Sequence, residues 1–109
     1  MPTASVNGAE LYYEVHGEGF PLVLSHTGMS DVSSWANNID VLSKHIRVVA
    51  YDRRDCGRST SPEGSSSAET WVEDVKGLMD HLGILKAVIG GVSYGSLITL
   101  EFLLAHPDR

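Results

Sequence analysis

Gly91-Val92-Ser93-Tyr94-Gly95 is the stretch that decides the fold. It ends an apolar run that predicts a strand, residues 87–92, and precedes an apolar run that predicts a helix, residues 96–105. A serine flanked by two glycines at such a junction fits the G-x-S-x-G elbow, which holds the serine alone at the tip of a sharp turn. Glycines permit the bend because they carry no Cβ to collide with the strand or the helix. The stretch predicts an α/β protein with Ser93 as a nucleophile.

The residues before the elbow alternate between strand and helix patterns. The predicted strands are 3–6, 10–16, 21–25, 46–51 and 87–92, and the predicted helices are 32–44, 68–82 and 96–105. Asn7-Gly8 predicts a hairpin turn between the first two strands, because both residues tolerate positive φ. Asp31 or Ser33 can cap the first helix, and Gly83 ends the second. This order predicts a mostly parallel sheet behind an antiparallel hairpin, joined by right-handed crossovers.

Length and composition exclude several classes of function. With 109 residues we expect one domain, and a net charge of −6 with only 8 Lys and Arg argues against nucleic acid and against an anionic membrane surface. The single cysteine, Cys56, cannot form an internal disulfide. Residues 1–6 do not resemble a signal peptide, and no apolar run approaches the ~18 residues of a membrane span. We therefore expect a cytoplasmic protein.

The last predicted helix is apolar on nearly every side. Its large apolar residues are Leu97, Ile98, Leu100, Phe102, Leu103 and Leu104. A helix of this kind is normally buried, and a strand at the rim of a sheet leaves an edge open to pairing. We expect further protein to cover this region, either more of the same chain or a second chain.

Three further segments accompany the elbow. They are Leu24-Ser25-His26-Thr27-Gly28, Tyr51-Asp52-Arg53-Arg54-Asp55-Cys56-Gly57-Arg58-Ser59 and Ala105-His106-Pro107-Asp108-Arg109. Together the four segments resemble the α/β-hydrolase family: its oxyanion loop, its Asp-Arg-Arg-Gly-x-Gly-x-Ser segment, its nucleophile elbow and the end of the helix behind that elbow. Within the family, residues 25–31, Trp35 and residues 44–49 are most similar to 3-oxoadipate enol-lactonases and related small esterases. The resemblance spans residues 1–109, which correspond to the N-terminal part of a single α/β-hydrolase domain, without its C-terminal part.

The resemblance implies a reaction. Ser93 would attack the carbonyl of a small-molecule carboxylic ester or lactone and form an acyl-enzyme, with no cofactor and no metal. The backbone N–H of Tyr94 would stabilise the oxyanion, and the second donor would be the N–H of Gly28 or of Thr27. In the family, the acid and the histidine of the triad follow the serine. We expect them after residue 109 or on a second chain, and we expect the isolated chain to be inactive.

The histidines and the ring of Trp35 need separate interpretation. His26 and Trp35 are expected to line the substrate pocket, together with the ring of Tyr94, although Trp35 fits simple core equally well. In the family, the histidine matching His26 shapes the oxyanion loop and does not transfer the proton. His106 lies at the far end of the helix that begins at the elbow, nearly 20 Å away at ~1.5 Å per residue, and cannot act as the base.

Residues 52–56 depart from the family pattern. Asp55 stands where the family has glycine, and aspartate is among the few other residues that tolerate positive φ. Cys56 is interpreted as a small packed residue rather than a reactive thiol. Asp52-Arg53-Arg54 is interpreted as a structural turn with paired charges, the alternative being a ligand site at the end of a parallel strand.

A second class of function stays open. Some proteins of this fold are receptors or scaffolds, so the alternative is a non-catalytic binding or interaction module. Haloalkane dehalogenase chemistry is disfavoured, since it requires a carboxylate at the position of Ser93.

Overall fold

The computed structural model describes residues 2–27, 30–62, 64 and 67–109. A five-stranded sheet lies between helices on its two faces. The elements in chain order are β1 (Thr3–Val6), β2 (Ala9–His16), β3 (Pro21–Ser25), a 3₁₀ helix (Val32–Trp35), α1 (Ala36–Leu42), β4 (Arg47–Tyr51), α2 (Ala68–His81), β5 (Val88–Gly91) and α3 (Tyr94–Ala105).

The sheet has the strand order β1-β2-β4-β3-β5. β1 and β2 form an antiparallel hairpin, and β2 pairs antiparallel with β4. β3 runs parallel to both of its neighbours, with Ser25 opposite Tyr51 on β4 and opposite Gly91 on β5. These pairings confirm the predicted mixed sheet. They also bring the loops that follow β3, β4 and β5 to one edge, where ligands bind in open parallel sheets.

Successive residues of the central strands pack on opposite faces of the sheet. Val23 and Val49 belong to the core beneath α2 and α3, whereas Leu24 and Val48 belong to the smaller core beneath α1. Both faces are therefore apolar, as expected for parallel strands covered by helices on both sides. Packing in these two cores holds in place the carboxyl ends of the strands, from which the site is built.

The first predicted helix begins differently from the prediction. Instead of one helix over 32–44, a 3₁₀ turn is followed by the short helix α1. Asp31, one of the two predicted candidates, is the N-cap of the 3₁₀ turn, and its side chain accepts from Ser33 N–H. The Asp52 carboxylate accepts from Val32 N–H at 2.8 Å, which ties the first turn to the loop after β4. The bond gives an acceptor to the Val32 N–H, which has none within the turn itself.

Helix α3 has one buried face and several exposed leucines. Ile98 and Phe102 are fully buried, whereas Leu100 and Leu104 are 61% and 79% exposed. β5, at the edge of the sheet, exposes Val88 beside it. The expectation that further protein covers this region stays a prediction. No helix in the described part of the chain is long and apolar enough to cross a membrane.

Candidate active site

Ser93 stands in a strained turn between β5 and α3. Its φ of 57° and ψ of −113° lie outside the regions that side chains other than glycine normally adopt. A Cβ at Gly91 would collide with the backbone of Gly95, and a Cβ at Gly95 would collide with the carbonyl oxygen of Ser25. Both glycines therefore allow a contact between backbones that no other residue permits. The turn has the geometry that the sequence motif predicts.

The side chain of Ser93 is exposed and makes no capping hydrogen bond to α3. The N–H groups of Gly95 and Ser96 bond to Val92 O and Ser93 O, both at 2.9 Å. In the described part of the chain, the Tyr94 N–H has no hydrogen-bond acceptor. This free donor lies at the positive end of a 12-residue helix, directly after the serine. A hydroxyl and an unpaired amide at one turn can serve as nucleophile and oxyanion donor.

The loop after β3 begins against the elbow. Ser25 and His26 are buried, and Ser25 Oγ shares a hydrogen bond of 2.8 Å with the Tyr51 hydroxyl. Burial raises the pKa of Tyr51 to about 12, so this hydroxyl stays protonated. Thr27 follows half-buried, and Gly28, the other predicted donor, lies outside the described residues. The roles of Thr27 and Gly28 stay predictions.

His26 uses both ring nitrogens inside the protein. Its Nδ1 donates to Thr27 O at 2.8 Å, and its Nε2 accepts from Arg53 N–H at 2.9 Å. Burial lowers the pKa of His26, which keeps the ring neutral and suits this pair of bonds. An imidazole held in this way shapes the loop and has no free nitrogen for a substrate proton.

The other four histidines lie away from Ser93 and, like His26, in described parts of the chain. His106 ends α3 and bonds Glu73 at 2.6 Å. His16 bonds Glu14 on β2, and His45 and His81 are exposed. None of the five forms a hydrogen bond with Ser93, and the described residues include no group of three His, Cys, Asp or Glu side chains that could hold a metal ion.

The loop after β4 holds its charges in structural contacts. Arg54 Nε and Asp74 form an ion pair of 2.6 Å with both side chains buried. The buried Asp52 carboxylate accepts from Arg58 N–H at 2.8 Å. Asp55 has a φ of 65°, which confirms that this position requires the left-handed conformation. Cys56 is buried, and burial raises the pKa of its thiol, which disfavours the reactive thiolate.

Arg53 was interpreted from the sequence only as part of the structural turn at residues 52–54. Arg53 is buried, and its guanidinium carbon lies 5.2 Å from the ring centroid of Trp71 and 5.5 Å from that of Tyr94. Its Nη1 also donates to His26 O at 3.3 Å. The sequence could have indicated a role for Arg53 by its position just after a parallel strand. It could not indicate the contacts with Trp71 and Tyr94, which belong to α2 and α3.

The residues expected to line a pocket differ in exposure. Trp35 is half-buried against the core beneath α1, and its Nε1 has no partner among the described residues. The Tyr94 ring is 50% exposed and meets Trp71 edge-on at 5.8 Å. His26 is fully buried within this chain. The pocket roles of Trp35 and His26 stay predictions.

Residues 21–109 match the family model of the alpha/beta hydrolase fold. The putative carbamate hydrolase RutD of Azorhizobium caulinodans is 34% identical over 109 residues, which cover the whole of this chain and 41% of RutD. The soluble epoxide hydrolase of a Corynebacterium species is 32% identical over 96% of this chain and 37% of its own. The crystal structure of the enol-lactonase from Burkholderia xenovorans superposes with a TM-score of 0.95 at 42% identity, over 99% of this chain and 43% of the lactonase. The chain therefore spans less than half of the length of each.

Proposed function

Because this chain belongs to the α/β-hydrolase family, we propose that the protein carrying it is a serine hydrolase that cleaves a small carboxylic ester or lactone through an acyl-enzyme on Ser93. The observation that carries the proposal is the strained, exposed Ser93 beside the N–H of Tyr94, which has no acceptor among the described residues. The likeness to an enol-lactonase, at 42% identity, supports the lactone class.

The proposed reaction starts with the attack of Ser93 Oγ on the carbonyl carbon. The hydroxyl proton passes to a histidine from outside this chain, and the oxygen of the tetrahedral intermediate accepts hydrogen bonds from Tyr94 N–H and from the loop after β3. The intermediate collapses, the C–O bond to the leaving group breaks, and the histidine gives the proton to the oxygen of the leaving group. Water then gives a proton to the histidine and attacks the acyl carbon, the bond from that carbon to Ser93 Oγ breaks, and Oγ regains the proton as the acid is released. Loss of one oxyanion donor typically costs about 10²–10³ in rate.

The chemistry of the elbow supports a carbonyl substrate. An amide N–H beside the nucleophile is useful where the negative charge develops on an oxygen that stays bonded to the attacked carbon, as in a carbonyl, whereas the oxygen of an epoxide leaves from the side opposite the nucleophile. Of the three relatives described above, one is named for carbamates, one for enol lactones and one for epoxides. We propose the carbonyl class for this chain, with an epoxide included as a comparison substrate in the assay.

Labelling with a fluorophosphonate tests the nucleophile. The intact protein is treated with the reagent, together with any partner that supplies the base, and the labelled peptide is identified by mass spectrometry. We expect the label on Ser93 and none on the Ser93→Ala variant. Ser96→Ala is the matched control, since Ser96 lies on the first turn of the same helix with its hydroxyl bonded to Gly91 O. A folded protein that is not labelled at Ser93 would favour the binding module instead.

The proposal that the base lies outside this chain leads to a second prediction. The isolated 109-residue chain should hydrolyse p-nitrophenyl acetate no faster than its Ser93→Ala variant, because the one histidine near the elbow, His26, has both ring nitrogens engaged. A burst of nitrophenolate from the isolated chain that Ser93→Ala abolishes would contradict the proposal that the acid and base lie elsewhere.

A further inference from the structure

The proposed reaction requires two backbone segments to be aligned. Ser93 and Tyr94 N–H come from the elbow, whereas the second oxyanion donor comes from the loop after β3. Misplacement of reacting groups by about 1 Å can cost about 10²-fold in rate. Direct packing supplies part of the alignment, because Gly95 lies against the carbonyl oxygen of Ser25. That contact is made by backbone atoms only and leaves the orientation of His26 and Tyr94 undetermined.

Arg53 contacts both segments from a third element. On the side of the β3 loop, its backbone N–H donates to His26 Nε2 at 2.9 Å and its Nη1 donates to His26 O at 3.3 Å. On the side of the elbow, its guanidinium lies over the ring of Tyr94, which also meets Trp71 edge-on. One buried side chain thus touches the residue before Thr27 and the residue after Ser93.

We propose that Arg53 is a positioning residue that aligns the loop after β3 with the nucleophile elbow. The inference rests on the proposed function, since it assigns a role within that reaction. A guanidinium suits the role because it is planar: it can donate in its own plane to His26 O while its face lies on an aromatic ring. A lysine at position 53 would keep the charge and N–H donors, but it would lack the planar, delocalised cation that lies over Tyr94.

The neighbouring arginines provide contrasts. Arg54 Nε makes a buried ion pair with Asp74, so its loss should act on stability. Arg58 also lies over an aromatic ring, at 4.8 Å from the centroid of Tyr12, but that ring belongs to β2 and not to the elbow. Arg58→Met serves as a control for Arg53→Met, because both remove a guanidinium that lies over a tyrosine ring, although Arg58 is exposed and Arg53 is buried.

The test compares kcat, KM and thermal unfolding of the intact, active protein with its Arg53→Met, Arg53→Lys and Arg58→Met variants. At a temperature at which all variants are folded, we expect Arg53→Met to lower kcat by about 10- to 100-fold with KM within about threefold of the original value. Arg53→Lys should fall between Arg53→Met and the original protein. Arg58→Met should keep kcat within about threefold, since the aromatic partner of Arg58 is Tyr12 of β2 and not Tyr94 of the elbow.

Each outcome decides the inference. A kcat of Arg53→Met within about threefold of the original would overturn it, and so would an equal loss of kcat in Arg58→Met. If Arg53→Met does not fold, Arg53→Lys decides: a kcat lowered more than threefold supports the role, and an unchanged kcat refutes it. Activity that survives Ser93→Ala would refute the proposed function itself, whereas an inert Ser93→Ala beside a fully active Arg53→Met would refute only the role of Arg53.

Discussion

Replacement of Ser93 by glycine should leave the protein more stable than replacement by alanine, and both changes remove the proposed nucleophile. A residue other than glycine at φ 57° and ψ −113° costs about 1–3 kcal/mol of strain. Glycine relieves this strain but loses about 0.5–1 kcal/mol more backbone entropy on folding than alanine. The Ser93 side chain is exposed and caps no helix N–H, so its removal breaks no hydrogen bond of α3. We therefore expect Ser93→Gly to be more stable than Ser93→Ala by about 1 kcal/mol, and by at most about 2.5 kcal/mol.

Urea unfolding of the two variants measures this difference, with an unchanged m-value as the sign that only stability has changed. The same pair of substitutions at Ser96 is the control. Ser96 lies in the first turn of α3 with ordinary helical geometry, so glycine there should be less stable than alanine by up to about 1 kcal/mol. If glycine were less stable than alanine at position 93 by as much as it is at position 96, the elbow would store no strain and the reasoning about its geometry would be wrong.

Three other substitutions and conditions test the surroundings of the elbow. Gly95→Ala should lower the free energy of unfolding by about 1–3 kcal/mol in urea, because its Cβ would meet the carbonyl oxygen of Ser25. Asp74→Asn should lower it by about 3–5 kcal/mol, since a buried Arg54 would lose its ionised partner, and thermal unfolding would detect the loss. Burial lowers the pKa of His26, so the folded protein should lose stability as the pH falls below the ordinary histidine pKa of about 6.5, where the unfolded chain takes up the proton first. The free energy of unfolding, measured in urea at pH 7.5 and at pH 5.5, should differ less between the two pH values in the His26→Asn variant than in the original protein.

Much of the fold could be predicted from local patterns. The hairpin at Asn7-Gly8, the strand Pro21–Ser25 and the helix starting at Ala68 depend on turn chemistry and periodicity within short windows. The order of the strands could not be predicted in the same way. β3 and β4 are apolar on both faces, so neither carries an alternation that would indicate its neighbours. The insertion of β4 between β2 and β3 emerges only from the three-dimensional pairing.

The site shows the same division between local and distant information. The strain at Ser93 was predictable because the motif itself specifies the turn. The contacts of Arg53 were not, since a charged residue is ordinarily expected at the surface and its partners, Trp71 and Tyr94, are separated from it in the sequence. Burial of an arginine against two rings requires three elements to meet at one edge of the sheet, and no window of sequence contains all three.

The geometry of the elbow is produced by residues of this chain and does not depend on the proposed base. Ser93 is held in its unfavourable conformation by two backbone contacts, Gly91 with Gly95 and Gly95 with Ser25, which involve only β3, β5 and α3. A turn that is strained but tightly packed keeps its shape before any substrate or proton acceptor arrives, which is what a preorganised site requires. The addition of a histidine beside Ser93 Oγ would then change the reactivity of the hydroxyl and not its position. Accordingly, substitutions that loosen these contacts should lower the rate of acylation even where the histidine and its acid are intact.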